Sequence, residues 1–335
     1  MTTATADRFE PPVSSRTERL RKALIGTAPI FIVLLVLLVL ISIENPNFFQ
    51  EPAVFLAFLK RAAPLVILAA GQYFVIVAGE FDLSVGSLVT VVVVVAARLI
   101  DGDPGNTWPV VALCLAMGAA VGVVNGLITT RLRVPSFITT LGMLLILAGA
   151  VFLWTGGAPR GALADNFREI GRLGINNFPV LDQLPYSVII MLILGAGAIL
   201  LMRAGWGRRL LAVGDNEQAA RLSGVRVENM RTVAFILSGL SAAVAGILLG
   251  GFAGVSAQVG EGLEFEAITA VVLGGVALGG GRGTVLAAMA GALTLEALFT
   301  LLNLRGVSGA LEDTVQGIII IVAVAFASYR LRGTR

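Results

Sequence analysis

GWGRRLLAVGDNEQAARLSGVRVENMR (Gly205–Arg231) is a polar island of 27 residues carrying five arginines. Long apolar runs flank it at 186–204 and 231–252, each of about the 20 residues needed to cross the hydrocarbon core of a bilayer. A segment this basic, polar and helix-prone between two spans reads as a cytoplasmic loop with a docking role. The rest of the chain follows the flanks. Of 335 residues 57% are hydrophobic and 13% charged, with a mean hydropathy of +0.91, which excludes a water-soluble domain of ordinary composition.

Further runs at 23–43, 62–79, 83–100, 108–128, 136–154, 268–280, 284–303 and 310–328 bring the expected number of spans to ten. The fold expected is all-α and polytopic. A single transmembrane domain (23–330) lies between cytoplasmic tails 1–22 and 331–335, with the basic loop 205–231 on one side and the longest outer loop, 155–185, on the other. The run 268–280 is short for a span and rich in glycine, which suggests a broken or re-entrant helix. The first run is too long for a signal-peptide core and no small-x-small cleavage site follows it, so an uncleaved span is expected. With the N-terminus inside, 17 of the 24 Lys and Arg residues fall on the cytoplasmic side, and both termini inside satisfies the positive-inside rule.

Several chemistries are excluded by what is missing. There is no histidine and one cysteine, Cys114, so the usual metal ligands are absent. Lysine occurs at Lys22 and Lys60, neither preceded by glycine, so no phosphate-binding loop of the G-x-x-x-x-G-K type exists here. If ATP drives this protein, another subunit binds it. The net charge of +3 sits in loops flanking spans and is read as a topology signal, with no nucleic-acid partner.

Small residues recur every four positions at Gly118, Gly122 and Gly126, at Ser238, Ala242, Gly246 and Gly250, and at Gly275, Gly279 and Gly283. Such stripes let helices approach closely within a subunit, or serve a dimer face or a pore lining. In the outer loop Phe167, Ile170 and Leu173 have helical spacing, which suits a docking surface, a gate or a structural cap. Asp82 stands where it would cap a helix beginning at Leu83. Alternatively, Glu80 and Asp82 line a polar path, and Glu264 and Glu266 pose the same question on the outer side.

Six segments, in order, resemble the permease subunits of ribose and simple-sugar ABC importers. They are GQYFVIVAGEFDLSVGS (Gly71–Ser87), NGLITTRLRVPSFITTLGML (Asn125–Leu144), TGGAP (Thr155–Pro159), AVGDNEQAARLSGVRV (Ala212–Val227), GEGLEFEAITAVVLGG (Gly260–Gly275) and GGGRGTVL (Gly279–Leu286). One departure is Glu80 in Gly79-Glu80-Phe81-Asp82, where the family usually has a second glycine.

The resemblance implies a subunit that binds no cofactor or metal and works with a cytoplasmic ATPase that holds ATP and Mg. An extracytoplasmic sugar-binding protein and a second permease copy or paralogue complete the assembly, in the inner membrane of a bacterium or archaeon. It also implies an ATPase-coupling element in the basic loop. Gln218, Ala219, Ala220 and then Gly224 have the family's spacing; Asp215 or Asn216 caps the short helix, Glu217 suits its first turn, and Arg221 and Arg226 pair with the partner. A sugar offers many hydroxyls and no charge, so its route needs side chains that both donate and accept, with aromatic faces for stacking. Gln72, Asp82, Asn125, Phe137, Thr140 and Asn303 are the candidates, with Tyr73, Thr139, Glu296 and Gln316 beside them. The alternative is an ion-coupled carrier or channel built on Glu80, Asp82 and Glu296.

Overall fold

The structure, a computed structural model, describes residues 16–178, 181–307, 309, 311, 312, 314–319 and 321. Helices α1 (Arg16–Glu44), α2 (Asn47–Gln50) and α3 (Pro52–Val77) are followed by an unwound stretch, 78–84. Then come α4 (Val85–Ile100), a short 3-10 turn, α5 (Thr107–Arg131) and α6 (Ser136–Thr155). Helix α7 (Asp165–Arg172) and an antiparallel hairpin, β1 (Gly174–Phe178) with β2 (Leu181–Pro185), pair Gly174 with Pro185 and Phe178 with Leu181 at one end of the bundle. Helix α8 (Tyr186–Arg203) returns to the other end, which carries α9 (Gly205–Asp215) and α10 (Glu217–Leu222). Helices α11 (Val227–Ala253), α12 (Leu263–Leu273) and α13 (Val285–Leu304) complete the described bundle.

Six helices among the described residues are long and apolar enough to cross a membrane, and α4 and part of α1 are shorter apolar helices. Helix α12, at 11 residues, rises only about 16 Å, so the run expected at 268–280 is a half-length helix ending in a glycine-rich turn. Of the expected tenth span, 310–328, residues 311, 312, 314–319 and 321 are helical, and the rest lie outside the described residues. Helix α3 begins ten residues before the run expected at 62. Lys60 and Arg61 end the apolar run in the sequence but not the helix: the Arg61 guanidinium lies 3.7 Å from Glu296 and donates to Thr300 Oγ1 at 3.3 Å, both on α13.

Burial separates the helices. Within their most apolar windows α3 and α11 are each 61% buried while α6 is 22% buried, so α3 and α11 form the centre and α6 faces outward. The glycine stripe of α5 meets α11 backbone to backbone. A Cβ at Gly118 would lie 2.5 Å from Gly239 O and one at Gly122 2.4 Å from Phe235 O, so this stripe packs helices within the subunit. The stripe Gly275, Gly279 and Gly283 is not helical. Its residues lie in the turn between α12 and α13, two of them with positive φ. In the outer segment Phe167 is fully buried on α7, whereas Leu173 lies past the end of that helix and is exposed.

Candidate functional site: a docking helix joined to two helix breaks

Helix α9 is amphipathic, burying Leu210 and Val213 and setting the Trp206 ring edge-on to Phe74 of α3 at 5.8 Å. It stops at Asn216, whose extended backbone frees its side chain to accept from Ala219 N at 2.9 Å and cap α10. Asn216, not Asp215, is therefore the cap. Ala220 turns inward onto Val213 and Val227, whereas Gln218, Ala219 and Arg226 are exposed. Gly224, at φ +80°, reverses the chain after the helix in a conformation that disfavours a Cβ. Leu222 projects from α10 with 84% of its surface exposed. Sequence reading missed Leu222, because an apolar residue in a polar helix signals burial until its face is known.

The arginines of this segment divide into two sets. Arg221 donates to Glu217 Oε1 at 2.8 Å and to Glu228 at 2.5 Å, so both of its ion pairs lie within this segment while its side chain stays 45% exposed. Arg231 on α11 is 18% exposed and bridges two acids, Glu217 Oε2 at 2.9 Å and Glu80 Oε1 at 3.0 Å. These groups line a cavity of about 620 Å³ together with Thr130 and Arg133. The hydrogen bonds from Arg221, with the charge of Arg231 beside them, hold the Glu217 carboxyl below its ordinary value.

Two residues beyond Glu80, the unwound stretch passes into the bundle. Asp82 is buried, and its Oδ1 accepts from Ser84 N (3.0 Å) and Ser84 Oγ (2.6 Å) while Oδ2 accepts from Ser238 Oγ (2.8 Å) on α11. Helix α4 thus begins at Val85, not Leu83, after an Asp-Ser turn. Asn125 on α5 donates to Ser84 Oγ at 2.9 Å. Gln72 on α3 donates to the Asp82 carbonyl (3.2 Å) and accepts from its amide (3.3 Å) with the side-chain amide turned to satisfy both. From α6, Ser136 Oγ accepts from Phe81 N at 3.1 Å and Thr140 hydroxyl lies 3.4 Å from Phe81 O. Buried polar backbone needs such partners, since apolar surroundings supply none. Four of the six pathway candidates, Gln72, Asp82, Asn125 and Thr140, thus converge on one stretch of unwound chain.

The second break, 274–284 between α12 and α13, is made of backbone. Gly281 N donates to Val77 O, the last residue of α3, at 2.9 Å. Gly214 of α9 sits where a Cβ would lie 1.9 Å from Val77 O, and a Cβ on Gly281 would lie 2.5 Å from Asp215 Cα. Arg282 lies 4.0 Å from Asp215. The motifs Gly71–Ser87, Ala212–Val227 and Gly279–Leu286, far apart in sequence, therefore meet at this junction.

The other two candidates lie elsewhere. Phe137 is exposed on the first turn of α6. Asn303 lines a cavity of about 590 Å³ toward the hairpin end, with Phe48, Phe58, Arg61, Glu266, Glu296 and Thr300.

Multiple apolar helices, interrupted helices packed by glycine and a short capped helix projecting from one end define a polytopic membrane transport component. Residues 54–324 match the family described as branched-chain amino acid transport system / permease component, and the chain belongs to that family. It is 38% identical over 295 residues to the ribose import permease protein RbsC of Escherichia coli (strain K12), covering 88% of this chain and 91% of that protein. It is 36% identical to RbsC of Bacillus subtilis (strain 168), with 88% and 90% covered, and 33% identical to the autoinducer 2 import system permease protein LsrC of Yersinia enterocolitica, with 90% and 81% covered. No solved structure matches the chain. The class that the motifs implied, a permease subunit rather than an enzyme, is the class these relatives define.

Proposed function

We propose that this chain is the membrane-spanning permease subunit of an ABC importer for a monosaccharide or related small polyol-like solute, with ribose the first substrate to test. The substrates of these relatives, ribose and autoinducer 2, support this reading. The observation that carries it is α10, a short capped helix with Gln218, Ala219 and Leu222 exposed and its anchor residues buried against the bundle. An exposed leucine on an otherwise polar loop outside the membrane suits insertion into a protein cleft.

In this reading the α10 end and both termini are cytoplasmic, in the inner membrane of a bacterium or archaeon. An ATPase carrying ATP and Mg docks on α10, and a sugar-binding protein docks at the hairpin end. A second permease copy or paralogue completes the assembly, and lipid surrounds its outer faces. Solute enters through the cavity that holds Asn303, where carboxylates, Arg61 and phenyl rings offer the donors, acceptors and stacking faces that a sugar uses. The solute then passes the first break by alternating access, with Gln72, Asp82, Asn125 and Thr140 along that route. The carrier alternative needs carboxylates free to bind an ion, but Glu80 is paired with Arg231, Asp82 accepts three hydrogen bonds and Glu296 lies 3.7 Å from Arg61.

The test is substrate-stimulated ATP hydrolysis in liposomes after purifying the chain together with its ATPase and adding binding protein and ribose, comparing wild type with Gly224→Asp. Co-purification of the wild type, with hydrolysis uncoupled from uptake in the variant, supports the reading. Uptake driven by an ion gradient with no ATPase bound overturns it.

A further inference from the structure

The Glu80 carboxylate is a departure from the pattern the chain otherwise follows, and it has a dedicated partner. Its side chain is 13% exposed and lies 3.0 Å from Arg231 Nε, and the same nitrogen reaches Ala78 O at 3.4 Å. The other end of the guanidinium holds Glu217 at 2.9 Å, in the first turn of α10. One planar cation therefore spans the docking helix and the unwound stretch 78–84. A fork with donors on separate edges can hold two carboxylates in fixed directions, which an ammonium cannot reproduce.

Beyond Glu80 the connection continues inward. Phe81 is bonded through both its amide and its carbonyl to α6, and Asp82 is bonded to Ser84, the residue that leads into α4, and to α11 through Ser238. A displacement of α10 pulls on Arg231 and so on the one segment whose hydrogen bonds tie α4, α6 and α11 together. The Gly214–Val77 contact is a second mechanical path, but it is made of steric stops that resist compression and transmit no pull.

We propose that Arg231 is the positioning residue that couples the docking helix to the first helix break, with Glu217 and Glu80 as its two anchor points. This rests on α10 being the ATPase-docking element. Arg231 touches neither the solute nor ATP; it sets how far a movement of α10 reaches into the membrane.

The test uses the whole assembly, permease with ATPase and binding protein, in proteoliposomes with ribose as the probe. Solute moved per ATP hydrolysed is measured for wild type, Arg231→Gln, Arg231→Lys, Glu80→Gln and Glu217→Gln. In parallel, hydrogen exchange of peptides covering 75–88 and 212–227 is followed with and without vanadate-trapped nucleotide. Arg231→Gln is expected to keep ATPase binding and hydrolysis within about two-fold of wild type while solute moved per ATP falls at least tenfold. Trapping should change exchange in both peptides of the wild type, but only in 212–227 of the variant. Arg231→Lys should recover part of the coupling. If Arg231→Gln does not assemble, the two Glu→Gln variants, each cutting one side of the bridge, carry the comparison. A normal response of 75–88 in every variant, or hydrolysis and uptake falling in proportion, overturns the proposal. If 212–227 does not respond even in wild type, the docking role of α10 fails instead.

Discussion

The two helix breaks do the same topological job with opposite chemistry. Between α3 and α4 the unwound chain is held by side chains that arrive from four helices, Gln72 of α3, Asn125 of α5, Ser136 and Thr140 of α6, and Ser238 and Arg231 of α11. Between α12 and α13 it is held mainly at its backbone, with glycine resting on glycine and on the end of α3, and with hydrogen bonds from Gly281 N to Val77 O and from the Tyr73 hydroxyl to Gly283 O. A break held by hydrogen bonds can loosen and re-form as partners shift by an ångström. A break whose close backbone contacts leave no room for a Cβ has less freedom to shift. From that difference the first break is expected to move and the second to act as the fulcrum.

The sharpest way to break this comparison is to put a side chain into the fulcrum. Gly214→Ala places a methyl 1.9 Å from Val77 O and 2.5 Å from Gly281 N, both backbone atoms that no rotamer change can move aside. The expected cost is about 3 kcal/mol or more, read as loss of monodisperse protein in detergent and a thermal transition several degrees lower. A fully stable Gly214→Ala protein would show that the second break yields like the first.

The first break should respond to polarity rather than to volume. Asp82→Ala leaves Ser84 N and two hydroxyls without their acceptor, at about 2–3 kcal/mol. Asp82→Asn keeps an acceptor for Ser84 and offers a donor to Ser238, so its cost should be about 1 kcal/mol. Thermal unfolding of the two variants in one detergent checks the order. Equal losses would mean that the carboxyl acts through its charge and not through the bonds it accepts.

Much of the first break could be read in the sequence, because its residues advertise themselves. Gln72, Asp82 and Asn125 are polar residues in apolar runs, and such residues are expensive enough to demand partners. Glu80 was visible as a departure, but its partner was hidden: Arg231 lies 151 positions on and reads as one more basic residue of the loop. The second break was harder. Glycines at 275, 279 and 283 have the four-residue spacing of a packing stripe, and only the observed positive φ at Gly275 and Gly283 shows that no helix is present. The length of α3 was underestimated for a related reason, since Arg61 looks like the end of a span until Glu296 and Thr300 are seen beside it. The cap was legible to within one residue, and Asn216 prevails over Asp215 because its backbone is extended.

The smallest effect sharpens the comparison through pH. Glu217 is held low by hydrogen bonds from Arg221 and by the charge of Arg231, so protons bind it less readily in the folded loop than in an unfolded one. A lowered acid pKa stabilises the fold above the unfolded value, and that contribution disappears as pH falls through the lowered folded value. Protection against hydrogen exchange in 212–227, taken relative to each amide's intrinsic rate at that pH, should therefore be flat from neutral pH down to about 5 and fall only below the ordinary glutamate value of about 4.3. In Arg221→Ala the fall should start at the same pH but be smaller and be complete at a higher pH, since the unfolded value sets the onset and the larger of the two causes of the lowered folded value is gone. Peptides of 274–284 should stay flat, because backbone contacts hold that break and its one ion pair, Asp215–Arg282 at 4.0 Å, joins two largely exposed side chains of little energetic weight. A fall unchanged in size by Arg221→Ala would place the control of Glu217 with Arg231 alone, and a parallel fall in 274–284 would show that the two breaks loosen as one.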